Sequence, residues 1–260
     1  MIAALALLLA AAPAPAGPPD SSSPQARFTA CVKKSDTDPA AAAQVATAWA
    51  STGGGVPAAQ CLGIARSAAG DWKGAADAFS AAADIADRTR DRRAANLWVS
   101  AGNAALAGGD AVRARAALSN AIANPALSDP MKGEALLDRA RADVAANDLG
   151  AARGDMNQAL ALVPADPMAW LLSATLARRM DDAARAAADI KEAMLRAPNE
   201  PDVLYEAGNI AAAAGNMDDA RTQWARAVAA DPQSDAAKSA RAELAATGGT
   251  QQQPKPAAGR

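Results

Sequence analysis

Residues 201–234 read PDVLYEAGNIAAAAGNMDDARTQWARAVAADPQS, and this stretch decides the fold. Leu204, Ala207 and Gly208 fall on one helical face, Gly215 breaks the chain, and Ala220, Trp224 and Ala227 mark a second helical face that ends at Pro232. The same plan returns 34 residues upstream in Trp170, Ala174, Ala186, Ile190, Ala193 and Pro198, and again, more loosely, in Leu136, Ala140, Leu149, Ala152, Met156, Ala159 and Pro164. Two earlier copies are marked by Trp98, Gly102, Gly109, Ala114, Leu118 and Ala121, and by Leu62, Gly63, Gly70, Trp72, Ala75, Phe79 and Ala82. The small first-helix residue therefore steps by 39, 38, 34 and 34, with the extra residues near Arg88 to Arg93 and Asn124 to Pro130. A unit of two short helices cannot bury its apolar face alone, so such units must stack into a solenoid.

Each recurring residue has a task. The bulky residue fills the space between two helices, and Gly or Ala a turn later lets them approach. At Gly70-Asp71 and Gly109-Asp110 the glycine accepts a left-handed backbone and the aspartate caps the next helix; Gly215-Asn216 does the same. Pro164, Pro198 and Pro232 stop the second helices, because proline lacks the backbone donor that further winding requires.

In order and spacing these residues resemble the tetratricopeptide repeat, over roughly residues 56 to 233. The resemblance implies an all-α, right-handed solenoid of about five to six helix pairs, with a C-terminal capping helix over Ser234 to Thr247. Arg27 to Lys34 and Pro39 to Ser51 read as a degenerate leading repeat. It also implies a concave groove, lined by first helices, that holds an extended peptide or partner helix. Carried onto this chain, the lining comprises Asn103, Arg141, Leu171, Thr175, Arg178, Tyr205 and Asn209, with Gln60, Ile64, Val99, Leu106 and Leu137 beside them. Arg141 and Arg178 come from consecutive first helices and could offer forked donors to a partner carboxylate; solvated surface arginines are the plainer alternative. Asn103 and Asn209 match an asparagine of the chaperone-tail-binding members, but Val99 and Tyr205 stand where those members have lysines. Trp98, Trp170 and Trp224 fall in packing slots, Trp72 in a turn and Trp49 in the leading unit.

Ahead of the array, Ile2 to Ala12 is an unbroken apolar run followed by Ala14-Pro15-Ala16, the pattern of a secretory leader cut after Ala16. The run is too short for a bilayer span of about 20 residues. The reading is thus a signal peptide at 1–16, a linker at 17–24, the repeat array at 25–247 and a Gln-, Pro- and Gly-rich tail at 248–260. Export gives the two cysteines a context: Cys31 and Cys61 read as a disulfide between neighbouring first helices, with two buried thiols or a reactive pair as alternatives.

A formal charge of −2, with acids and bases interspersed, gives no footprint for nucleic acid or an anionic membrane. The chain contains no histidine, which removes the commonest general base and most catalytic zinc ligation, and it has no phosphate-cradling loop. The carboxylate pairs Asp181-Asp182 and Asp218-Asp219 fall at turns into second helices, where capping explains them. No enzyme, cofactor or metal is expected. The expectation is a periplasmic or secreted adaptor that binds a protein or peptide of the cell envelope. A structural subunit of an envelope assembly, or a homo-oligomer, is the alternative, and an enzyme of unknown type a remote one.

Overall fold

The computed structural model describes residues 23–248, which form thirteen α-helices and, among the described residues, no strand. The leader with its cut after Ala16, most of the linker and nearly all of the tail lie outside the described residues. Six antiparallel pairs follow one another: α1 Pro24–Thr37 with α2 Pro39–Ser51, α3 Gly55–Ala68 with α4 Trp72–Thr89, α5 Ala94–Ala107 with α6 Ala111–Ala123, α7 Asp129–Ala145 with α8 Leu149–Leu162, α9 Pro167–Arg179 with α10 Ala183–Arg196, and α11 Pro201–Ala213 with α12 Met217–Ala230. Helix α13, Asp235–Gly248, closes the end through Ala236, Ala237, Ala240 and Leu244.

The turns inside the five pairs from α3 to α12 share one backbone conformation. Gly70, Gly109 and Gly215 take left-handed backbones, and Asn147 and Asp181 do so at the equivalent turns without being glycine. In four of these turns the aspartate that follows caps the second helix: Asp71, Asp110, Asp148 and Asp182 accept from the backbone amides of Gly74, Arg113, Ala151 and Arg185 at 3.0–3.1 Å, whereas Asn216, expected to do the same after Gly215, makes no side-chain cap bond. Asp181-Asp182 is thus one turn residue and one cap, and Asp218 and Asp219 sit in the first turn of α12. Between pairs, Pro164, Pro198 and Pro232 end the second helices, and an arginine ties each of their carbonyls: Arg196 at 2.8 Å, Arg226 at 2.9 Å and Arg241 at 2.7 Å.

Inside each pair, side chains 16 positions apart are matched in size. Gly63, Gly102 and Gly208 face Phe79, Leu118 and Trp224 so closely that an added Cβ would come within 2.4–2.6 Å of them. At the same offset, Ala140 shares a buried cluster with Met156, and Ala174 with Ile190. The two ring-bearing knobs, Phe79 and Trp224, both meet a glycine, as close packing requires, while aliphatic knobs meet either a glycine, at Leu118, or an alanine, at Met156 and Ile190. The first extra segment falls where α4 runs to 18 residues, ahead of a turn in which Asp91 holds Arg93 through its side chain and backbone amide. Those two contacts lower the Asp91 carboxyl to a pKa of about 2. The second extra segment is the connection from α6 to α7, which buries Leu127.

Two features differ from the sequence reading or lie beyond it. Trp98 and Trp170 pack against the core only in part, while the preceding Leu97 and the following Leu171 are buried. The two indoles lie at the margin, donating to Asp87 Oδ2 at 2.8 Å and to the Pro164 carbonyl at 2.9 Å. At these margins each indole N–H finds a partner while the ring keeps contact with the core. Trp224 alone of the three is buried, on the space left by Gly208. The second feature is a series of buried acids. Asp155 receives a two-pronged bond from Arg139, which also donates to Ser119. Asp189 receives Ser173 and Arg185, and Arg153 donates to Ser173. Asp143 lies 2.6 Å from Arg115 in an ion pair, and its burial pushes the carboxyl up from its ordinary value. Carboxylates taken out of water persist only when paired, so these contacts fix how each unit sits on the next.

At the leading end, Cys31 on α1 and Cys61 on α3 form a bonded pair with Cα atoms 6.3 Å apart, both buried beside Ala46. Arg27 lies over the Trp49 ring at 4.7 Å.

Candidate functional site

The first helices α5, α7, α9 and α11 carry the polar residues named from the sequence, and the structure joins them into two sets. On α7, Arg141 Nη1 donates to Asp138 Oδ1 at 2.8 Å, and the Asn103 side chain on α5 bonds the same carboxyl. Burial pushes Asp138 up from its ordinary value, against the pull of Arg141 and Asn103. Between α9 and α11, Arg178 donates through Nε and Nη2 to the two oxygens of Glu206, at 2.7 and 3.1 Å. Asn209 Nδ2 donates to Glu206 Oε2 at 3.2 Å, and Trp224 Nε1 donates to Asn209 Oδ1 at 3.1 Å. The bond to Glu206 holds the Arg178 guanidinium above its ordinary value.

The pair of free arginine forks expected from the sequence therefore takes a different form. Arg178 spends its fork on Glu206, which is only 5% exposed, so a carboxylate of this chain already occupies the position imagined for a partner. Arg141 remains half-exposed and commits one nitrogen. Leu171 is buried in the cluster it shares with Val203 and Ala207 of α11, and the Thr175 hydroxyl donates to the Leu171 carbonyl at 3.0 Å. Tyr205 is half-buried against the cluster that holds Trp224. Asn103 is exposed. What the sequence did not indicate is Glu206: it directly follows Tyr205, and only the adjacency of α9 and α11 shows that it faces Arg178.

Three hollows border these helices. One of about 130 Å³ lies among α7, α8 and α9, with Arg141 and Arg179 beside Val144, Met156, Leu172 and Leu176. A second, about 260 Å³, has Arg178 and Asp181 beside Ala186, Ile210 and Ala213. The largest, about 500 Å³, is an apolar trough among α10, α11 and α12, formed by Ile190, Met194, Leu195 and Ile210 with Lys191 and Asp219 at its sides. It adjoins the hollow beside Arg178, sharing Ala187, Ile210 and Ala214 with it, and Leu195 there is 67% exposed. Among the described residues, no group of three or more Cys, Asp or Glu is placed to hold a metal ion, and no helix is long and apolar enough to cross a membrane.

Comparison with known proteins agrees with this architecture. Residues 171–236 and 205–252 match the model of the tetratricopeptide repeat family. No curated protein matches the chain in sequence. Among solved structures, the chain is similar to PilF of Pseudomonas aeruginosa, at 14% identity and a TM-score of 0.63, over 85% of this chain and 99% of that one. PilW, described as a widely conserved type IV pilus biogenesis factor, is similar at 19% identity and a TM-score of 0.66, over 83% of this chain and 97% of that one. YrrB, described as a repeat protein of the same kind with an unusual peptide-binding site, is similar at 17% identity and a TM-score of 0.54, over 75% and 96%. At these identities the likeness is one of fold.

Proposed function

We propose, from the premise that this chain is a tetratricopeptide-repeat protein, that it is a non-catalytic adaptor of the cell envelope whose first-helix face docks an extended segment of another envelope protein. The observation that carries the reading is the pair of prearranged polar sets along α5, α7, α9 and α11. A surface whose side chains are already locked by Glu206, Asp138 and Asn209 loses little freedom when a partner arrives. Asn103, Arg141, Thr175, Tyr205 and Asn209 line this face; Leu171 and Arg178 support it from behind. Secretion, with cleavage after Ala16, rests on the apolar run Ile2 to Ala12 and on the Cys31–Cys61 pair, which suits an oxidising compartment. The similarity to PilW, described as a type IV pilus biogenesis factor, supports assembly of a surface structure as the kind of process served.

The test is in-cell photocrosslinking in the source organism, with a photoreactive residue at Asn103 or Tyr205 and a control at the exposed Val112 of α6. The adaptor reading expects one discrete envelope adduct from the first two positions and none from the third. Adducts only from Val112, or adducts of a cytosolic protein, contradict it. The trough bearing Leu195 favours a second reading, permanent packing into an assembly through the second-helix side. That reading expects a stable oligomer of the pure protein in light scattering, lost in Leu195→Asp.

A further inference from the structure

We propose that the 500 Å³ trough among α10, α11 and α12 receives a second copy of this chain, in a twofold contact that sets the second-helix sides of two stacks together. The proposal rests on the second reading above, names its occupant, and leaves the first-helix face free. Shape is the first argument. Leu195 stands exposed at one end of the trough, and Ala187 lies two turns earlier on α10, about 12 Å away. Ala214 and Asn216, from the turn into α12, complete that second end, where the trough runs on into the 260 Å³ hollow. Bulk thus sits at one end and space at the other, so half a turn about an axis through the middle lays each leucine over the alanine-lined end of the other copy. Between the ends, Ile190, Met194 and Ile210 form an apolar floor that a second apolar surface would take out of water. Charge is the second argument. Lys191 on α10 and Asp219 on α12 flank the trough from opposite sides, and both are exposed. Lys191 makes no hydrogen bond or ion pair among the described residues, and Asp219 accepts only from Gln223 Nε2, at 3.1 Å. The same half-turn brings Lys191 of each copy to Asp219 of the other, so one residue pair is used twice. Both first-helix faces then point outward, and one dimer can hold two partner segments with the gain that linkage gives.

The test is sedimentation equilibrium of the full-length protein and of charge-reversed variants, alone and mixed. The unaltered protein is expected to dimerise and to go no further, since a twofold contact closes on itself. Lys191→Asp and Asp219→Lys each put two like-charged pairs into the contact, and each should weaken the dimer about tenfold or more. Mixing the two variants in equal amounts recreates both opposite-charge pairs, so a heterodimer of near-original affinity should appear. That recovery also shows that neither substitution unfolds the chain. Leu195→Ala should weaken the dimer, and Ala187→Trp, which fills the space awaiting the leucine, should abolish it with circular dichroism unchanged. A monomer up to about 0.5 mM, already a weak affinity for a protein pair, overturns the proposal. So do open-ended oligomers, or a mixture of the two charge variants that fails to recover. The readings beneath it fail separately. A monomer that still gives an in-cell adduct with another envelope protein, from a photoreactive residue at Leu195, keeps the second-helix packing and removes only the second copy. Adducts at Asn103 or Tyr205 that persist in Lys191→Asp keep the adaptor face, whatever becomes of the dimer.

Discussion

Gly208→Ala is expected to destabilise the last helix pair by about 2 kcal/mol, although alanine is the better helix former. The added Cβ would lie 2.4 Å from Trp224 Cδ1 and Nε1, whereas carbon contacts relax near 3.5–4.0 Å. The indole is 2% exposed and held by its bond to Asn209, so it cannot swing aside without opening the pair. Overpacking of this kind costs about 1–3 kcal/mol, loss of the Trp224–Asn209 bond adds about 1, and the gain in helix propensity returns about 1. Adding Trp224→Ile recreates the Ala174 and Ile190 combination found one unit earlier, so part of the loss should be recovered. A double-mutant cycle in urea, followed by circular dichroism, should give a favourable coupling of about 1 kcal/mol or more. Because each unit leans only on its neighbours, hydrogen exchange should place the loosening in α11 to α13 and leave α3 to α6 protected. A neutral or stabilising Gly208→Ala, or zero coupling, would refute the size-matching argument.

Further expectations address other parts of the chain. Replacing Cys31 and Cys61 by serine should cost roughly 3–4 kcal/mol in chain entropy for a separation of 30 residues, read as early melting of α1 and α2; an unchanged melt, or free thiols in the native protein, would contradict the bridge. Arg178→Ala, by leaving the buried Glu206 with Asn209 alone, should destabilise the α9–α11 contact by about 1–3 kcal/mol, and Arg178→Ala with Glu206→Leu should cost less than the single change. Two carboxyls should titrate with opposite linkage. Asp91, lowered to about 2, supports stability that is present above its ordinary value of 3.8 and is lost as pH falls toward 2. Asp138, raised by burial, binds its proton more tightly when folded, so its contribution declines as pH rises from 3.8 through its higher folded value. Carboxyl-carbon NMR titrations check both signs, and an Asp138 that titrates below Asp91 would reverse the assignment.

Most of the architecture was legible because it is local and repeated. The 34-residue spacing of Pro164, Pro198 and Pro232, and the Gly-Asp turns at residues 70 and 109, record backbone requirements that no tertiary context overrides. The turns at Asn147 and Asp181 were harder to read, since asparagine and aspartate enter the left-handed region less freely than glycine. Trp98 and Trp170 pack against the core as their register suggests, but only half-buried, with each indole N–H reaching a partner at the edge, Asp87 and the Pro164 carbonyl, that a repeat pattern does not encode. The face residues were placed on their helices by register alone, yet two decisive partners come from another repeat: Glu206 for Arg178, 28 positions on, and Asp138 for Asn103. That Arg178 belongs to Glu206, and that Arg179 shares a hollow with Arg141, depends on how neighbouring units rotate against each other, which a pattern of large and small residues does not encode.

The central claim is that the first-helix side of the stack receives the partner, and hydrogen exchange of the full-length protein with and without its crosslink-identified partner segment tests it most directly. The account predicts slowed exchange concentrated on α5, α7, α9 and α11, with α10 and α12 unchanged. Protection confined to α10 and α12 around Leu195, with the first helices unaffected, would contradict it.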